Sequence, residues 1–476
     1  MKSQKHFHIR TLLALGICLV LSAVGPVNTA RAETLTVTTI VDGFDGVCDA
    51  HCSLRDAIYT ANSNSDPSTI ILPAGTYALT QVGYDDTGIS GDLDIREDVI
   101  ISGAGAEQTL IDAQAFTDER IFDVQNGAEV TISGLTVSYG HGNLGGGVSC
   151  NNSTLTLNSV IIRFNVSSSY GGGIYSDNCA LTLDNTLVTI NSAADGGGGI
   201  YLYDSEVAIN ESIITGNSTG ESYSGGGVYC YDSRLSMIET SLSENTAGYG
   251  AGIFSVGGTS MVSLDRSLIA GNFAAMEGGG VAMLEGRSLT ITTSTISGNA
   301  ANTYGGGIDT RVVTSIAHST VVENVADADG DDHGNAGGIF CYSSGCEADV
   351  YQTIIANNID HNTAPLHDCA TWSSGSVVST GYNLVEATGN CSFEADGDIT
   401  GQDPQLAPLS YNGGPTQTHA LLFGSPAIDA GNTVSPPSTD QRGYPRPLDG
   451  DGDGTATCDI GAFEGFWGAF LPLVLR

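Results

Sequence analysis

The chain has little positive charge. Of its 476 residues, 15 are Lys or Arg against 53 Asp or Glu, a formal charge of −38, and its only lysines are Lys2 and Lys5. Residues 33–476 carry no lysine, 11 arginines and all 53 acids, a formal charge of −42. Such a surface repels nucleic acid and anionic lipid, which excludes nucleic acid as a partner. It can hold hard cations through oxygen ligands. Long apolar runs are also missing. Leu12 to Val24 and Phe466 to Arg476 both fall short of the roughly 20 residues that span a bilayer as a helix, so no transmembrane helix is expected in the mature chain. There is no Ser/His/Asp set, phosphate-binding loop or two-histidine metal motif, and the cysteines do not form the short-spaced pairs of a zinc knuckle.

Residues 1–32 read as a secretory signal. Lys2, Lys5 and Arg10 precede the apolar run, and Ala30-Arg31-Ala32 makes an A-x-A cleavage site. The expected location is extracellular or at the cell surface. Setting aside Cys18 leaves ten of the 11 cysteines, an even number that permits disulfides without fixing their pairing. Cys48/Cys52, Cys341/Cys346 and Cys369/Cys391 are the nearest neighbours in sequence. Cys150, Cys230 and Cys341 share one place in a repeat, where buried thiols would fill the core equally well.

That repeat dominates the chain. Glycine triplets, or their Gly-Ala-Gly and Ala-Gly-Gly variants, open at Gly145, Gly171, Gly197, Gly225, Gly250, Gly278, Gly305 and Ala336, with steps of 26, 26, 28, 25, 28, 27 and 31 residues. An asparagine recurs in phase at Asn165, Asn191, Asn217, Asn245, Asn272, Asn299, Asn324 and Asn357. Between these marks apolar residues alternate, as in Leu155/Leu157, Leu181/Leu183, Val207/Ile209, Val262/Leu264 and Leu289/Ile291, with Thr, Ala or Ser between them. Period two is strand spacing. Short strands that repeat once per step and turn at Gly or Asn corners stack in parallel, so the expected fold is an all-β parallel β-helix, a solenoid. Parallel crossovers favour the right hand. Stacked asparagine amides can bond from rung to rung.

The text differs on either side of the array. Leu54, Ala57, Ile58 and Ala61 share one helical face, and Ser53 with Asp56 has the form of a capping box, which suggests a short helix closing the open end of the solenoid. Cys52-Ser53-Leu54-Arg55-Asp56-Ala57-Ile58, preceded by Cys48-Asp49-Ala50 and followed by Ile71-Leu72-Pro73-Ala74-Gly75-Thr76-Tyr77, resembles the CSLREA-type domain of exported bacterial β-helix proteins, with Asp56 where Glu is usual. The repeats are similar in architecture to those of chlamydial polymorphic membrane proteins. Near the C-terminus, Asn412-Gly-Gly-Pro-Thr-Gln-Thr-His419, Gly424-Ser-Pro-Ala-Ile-Asp-Ala-Gly431, Thr439-Asp-Gln-Arg-Gly-Tyr-Pro-Arg446 and Cys458-Asp-Ile-Gly-Ala-Phe-Glu464 together resemble the choice-of-anchor Q domain. This resemblance implies an exported, surface-associated protein anchored through its C-terminal region, without a defined catalytic activity. The chain then divides into the signal (1–32), an N-terminal cap (33–98), the repeats (99–400), the anchor-like segment (401–465) and an apolar tail (466–476).

Chemistry is expected on the outward face of the strands after the triplets. If the Ile or Val after each triplet points inward, Tyr175, Tyr201, Tyr229, Phe254 and Phe340 form one outward column, and Tyr203, Tyr231 and Tyr342 the next. Tyr201, Tyr203, Tyr229 and Tyr231, bordered by Asp204 and Asp232, make a grid whose spacing suits sugar rings on aromatic faces. The competing reading is that these rings stack to stabilise neighbouring strands. Ca²⁺ is the cofactor for which the chain offers ligands. Asp449, Asp451 and Asp453, with Asp459 nearby, match the first half of an EF-hand loop but have Ile460 where the bidentate Glu belongs. Asp327, Asp329, Asp331 and Asp332 supply a second acidic run. Parallel β-helices also host polysaccharide lyases and hydrolases. By similarity to pectate lyases, Asp329, Asp331 or Asp332 with Arg311 are candidates, and Gly140-His141-Gly142 looks superficially like a polygalacturonase motif. The expected function is adhesion, matrix or glycan binding without catalysis, with a Ca²⁺-dependent polysaccharide lyase or a glycoside hydrolase, or a structural stalk, as alternatives.

Overall fold

The computed structural model describes residues 33–83, 87–114, 118–362, 367–434 and 436–466. The expected signal and nearly all of the apolar tail lie outside these residues. The repeats wind into a parallel β-helix of four sheets, holding 11, 13, 13 and 9 strands. One coil shows the order: Ile174–Asp177 in the first sheet, Ala180–Asp184 in the second, Leu187–Thr189 in the third and Ser192–Ala193 in the fourth. Each strand pairs in parallel with its counterpart one coil on, so that Leu181 meets Val207 and Leu183 meets Ile209. The alternation read from the sequence decides which side is core: Leu181, Leu183, Val207, Ile209, Leu235 and Met237 are all buried within the coil.

The corners explain the two phase-locked columns. In Gly171-Gly172-Gly173 the first glycine has φ +70°, and a Cβ on the second would lie 2.3 Å from the Gly198 carbonyl oxygen. A side chain at Gly172 would therefore require the backbone of one coil to shift. The asparagines form a buried ladder: the Oδ1 of Asn191 accepts from the backbone N–H and the Nδ2 of Asn165, both at 3.0 Å, and the pattern repeats through Asn217, Asn245, Asn272, Asn299 and Asn324. The last member differs from expectation. Asn358 accepts from Asn324 and then donates to Asp368, whereas Asn357 occupies the left-handed corner at φ 56°. Ladder residues regularly follow a left-handed residue, such as Phe164 or Gly216, and tandem asparagines hide that one-residue offset.

The helix Leu54–Ala61 forms as expected, with both arms of the capping box closed between Ser53 and Asp56. Its arginine is buried: Arg55 pairs with Asp42 at 2.9 Å and donates to the carbonyls of Gly88, Gly91 and Asp92, which fastens the neighbouring loop to the cap. Disulfides join Cys48–Cys52, Cys150–Cys179, Cys341–Cys346 and Cys369–Cys391, while Cys230 and Cys458 are buried thiols. Cys150, Cys230 and Cys341 do share one inward column, and two of the three are nevertheless cross-linked.

Residues beyond 401 run back along the outer face of the third sheet. Outward positions of Ile161–Arg163 and Ser241–Ser243 are only partly covered, but Leu268–Ala270, Thr295–Ser297, Thr320–Val322 and Ile354–Ala356 are buried throughout. Val322, Ile354 and Ala356 pack there with Leu421, Ala427, Ile460 and Phe463. Gln441 bonds Thr295 and the Ser267 carbonyl, and His419 bonds Ser297. The sequence that suggested an anchor thus contributes a covering layer. Asp440 takes Arg442 at 2.6 Å, and Glu464 takes Arg446 at 3.1 Å with both side chains fully buried.

Candidate glycan-binding face

The first sheet presents its outward residues in two columns, and the structure separates them. Tyr175, Tyr201, Tyr229 and Phe254 stack rung on rung, with centroids 5.5, 4.8 and 5.0 Å apart. They do not form an open platform. Tyr175, Tyr201 and Phe254 are only 8, 7 and 6% exposed and Phe340 1%. The reason is a roof: Tyr170 lies 4.5 Å from the Tyr201 ring, Tyr249 packs on Phe254, and Tyr304 lies 5.0 Å from Phe340. Burial pushes the Tyr175 and Tyr229 phenols up to about 12. The expectation that this column meets ligand is therefore corrected for Tyr175, Tyr201, Phe254 and Phe340, whose rings the roof excludes from solvent; Tyr229, partly exposed, lies beneath the same cover.

The next column is open. Tyr203 is 42% exposed and stacks on Tyr231 at 5.3 Å with ring planes 12° apart. Asp204 and Asp232 follow at left-handed corners, both at φ 46°, and turn the chain into the second sheet. There the middle outward positions carry small side chains, Thr182, Ala208, Ser236, Ser263 and Thr290, which leave a groove of ≈ 530 Å³ across five coils. A second hollow of ≈ 310 Å³, bordered by Asp204, Asp232, Thr259 and Arg287, shares Glu206 and Arg234 with it. Tyrosine faces, carboxylates and a shallow trough thus lie side by side along the solenoid axis. The signal for the trough was present in the sequence as the Thr, Ala and Ser between the apolar residues. That pattern read as strand periodicity, but it also specifies a channel floor.

Further along the same outer column, Arg311 lies over the Tyr342 ring at 5.0 Å, and Tyr342 and Trp372 are 37 and 52% exposed. Arg311 pairs with Glu277 at 2.6 Å and with the fully buried Asp309 at 3.5 Å. Burial, augmented by the neighbouring Glu277, holds the Asp309 carboxyl above the usual carboxylate range although Arg311 opposes it. The ion pairs of Arg311 are therefore with Glu277 and Asp309; Asp329 and Asp331 instead converge with Asp327 in a separate cluster. His141 is half-buried, with Nδ1 bonded to the Tyr139 carbonyl.

Of the EF-hand-like run, Asp449 and Asp451 converge with Asp429. Asp459 is buried and accepts from the Asp429 and Gly465 N–H groups, and Asp453 caps the Thr455 N–H in its own loop. The expected ligand set is corrected accordingly, with Asp429 standing beside Asp449 and Asp451 in place of Asp453 and Asp459.

No protein-family model and no curated protein matches the chain. Solved structures resemble it in fold. The pectate lyase Pel9A is 13% identical with a TM-score of 0.48, over 92% of this chain and 98% of the lyase. The Agl-KA catalytic domain is 14% identical at 0.40, over 78% and 68% of the two chains. A mannuronic-acid-specific family 6 polysaccharide lyase from human gut microbiota is 9% identical at 0.35, over 78% and 82%. At these identities the likeness concerns the parallel β-helix alone.

Proposed function

We propose that the protein is an exported or cell-surface β-helix that binds glycans along its outer face without cleaving them. The observation that carries this reading is the parallel Tyr203/Tyr231 stack, with Tyr203 exposed and Tyr231 half-buried, beside the small-residue trough. Two near-parallel rings stacked on successive rungs offer their outward edges and uncovered faces to sugar C–H groups, while Asp204 and Asp232 supply acceptors for hydroxyls. The charge of −38 disfavours polyuronates and favours neutral or amino-bearing sugars. Four disulfides suit an oxidising compartment. Surface attachment through the C-terminal region belongs to the same proposal and rests on the resemblance of residues 412–464.

The test is retention of purified protein on immobilised neutral, amino-bearing and uronate polysaccharides. Tyr203→Ala and Tyr231→Ala should each weaken retention about tenfold. Undiminished retention in the folded double variant would remove this face from the account. A second reading, hydrolysis or elimination at Glu277, Asp309 and Arg311, is favoured by one feature, the buried carboxyl of raised pKa paired with Arg311, whose guanidinium lies over the exposed Tyr342 ring.

A further inference from the structure

The repeat step from Gly305 to Ala336 is 31 residues, three more than any other in the array. The additional length lies between the strands Val325–Ala326 and Ile339–Tyr342 and contains Asp327-Ala-Asp329-Gly-Asp331-Asp332. One carboxylate oxygen each from Asp327, Asp329 and Asp331 lies within 4.8 Å of the others. Opposite ligands of a Ca²⁺ ion bound at about 2.3–2.6 Å stand roughly 4.6–5.2 Å apart, so the cluster falls within one coordination sphere.

An acidic cluster on a loop is common without a metal, and the case here depends on its buried member. Asp327 is 0% exposed. Its Oδ1 accepts from the Asp331 N–H, but its Oδ2 is buried without a hydrogen-bond partner. A buried carboxylate oxygen with no donor is costly, and the cost increases when two more carboxylates stand beside the same side chain. The imidazoles near the cluster do not meet this need. His333 touches Asp331 Oδ1 and is itself largely exposed, and His361 approaches the Asp327 backbone carbonyl. The cluster of Asp429, Asp449 and Asp451 shows no such atom: the Asp429 and Asp449 oxygens accept backbone N–H groups.

We propose that Asp327, Asp329 and Asp331 bind one divalent cation, Ca²⁺ in preference to Mg²⁺, and that the ion pins this loop to the solenoid where the fourth sheet turns into the first. Ca²⁺ accepts irregular oxygen sets, whereas Mg²⁺ demands near-octahedral geometry and holds its waters.

The test is calorimetric titration of CaCl₂ and MgCl₂ into the EDTA-treated full chain, with Asp329→Ala/Asp331→Ala and Asp449→Ala/Asp451→Ala as variants. These positions lie in loops, so the variants should fold, as circular dichroism would verify. The expected result is Ca²⁺ binding that loses one equivalent in the first variant and keeps that equivalent in the second. Unchanged isotherms in the first variant, or no heat at millimolar Ca²⁺, would overturn the site. Limited proteolysis of the wild-type chain gives an independent reading. Ca²⁺ should slow cleavage within residues 327–334 at least tenfold, and equal rates with Ca²⁺ and with EDTA would contradict the proposal.

Discussion

Single side chains decide whether this solenoid stacks in register. Asn217 illustrates the demand: its Oδ1 receives the Asn191 N–H and Nδ2, and its own Nδ2 donates to the Val188 carbonyl and the Asn245 Oδ1. Asn217→Ala strands buried donors and acceptors on both neighbouring coils and should cost about 2–4 kcal/mol. Asn357 supplies a corner conformation rather than a ladder bond, and Asn357→Ala should cost only about 1 kcal/mol. Denaturant unfolding of the two variants checks both values, and equal losses would contradict the ladder assignment. The sequence located seven of these asparagines correctly because spacing alone places them. Asn357 and Asn358 required backbone φ to tell apart, which a tandem pair does not disclose.

At the scale of elements, the N-terminal cap is held by a buried arginine. Leu54, Ala57, Ile58 and Ala61 supply the apolar lid, and Arg55 ties Asp42 and three carbonyls of the loop 88–92 to it. Arg55→Met removes the cation and leaves Asp42 buried beside an apolar chain, a loss of about 3–5 kcal/mol. A change within about 0.5 kcal/mol in denaturant unfolding would show that the pair contributes little. The helix and its capping box were legible because they depend on residues close in sequence. The roof over Tyr175, Tyr201 and Phe254 was not, because Tyr170 and Tyr249 arrive from the corner between the fourth and first sheets. Strand alternation reports which way a side chain leaves its own coil. It does not report what another segment lays on top, and the same blindness concealed the C-terminal layer on the third sheet.

Across the whole molecule, charge couples stability to pH. Burial, with Asp94 beside it, pushes the Asp92 carboxyl up to about 8 from an ordinary 3.8. Burial likewise raises Asp368, at the end of the asparagine ladder, to about 7. Between the ordinary value and these raised ones the folded chain holds protons that the unfolded chain has released. Their stabilising effect is therefore full below about pH 4 and is lost as pH rises through about 7 to 8. Self-repulsion of a chain carrying −38 adds in the same direction. Thermal unfolding should show a lower Tm at about pH 8.5 than at about pH 5.5, and Asp368→Asn should reduce that difference. A Tm that climbs with pH over this range would contradict the assignment. The fold itself was legible from eight phased repeats. The function rests on one face, and the decisive measurement is made there: the purified chain is incubated with each polysaccharide that retains it, and new reducing ends or unsaturated uronates are assayed. The binding account expects retention that depends on Tyr203 and Tyr231 and no product. Product that disappears with Glu277→Gln or Asp309→Asn would contradict it and make the Arg311 cluster an active site.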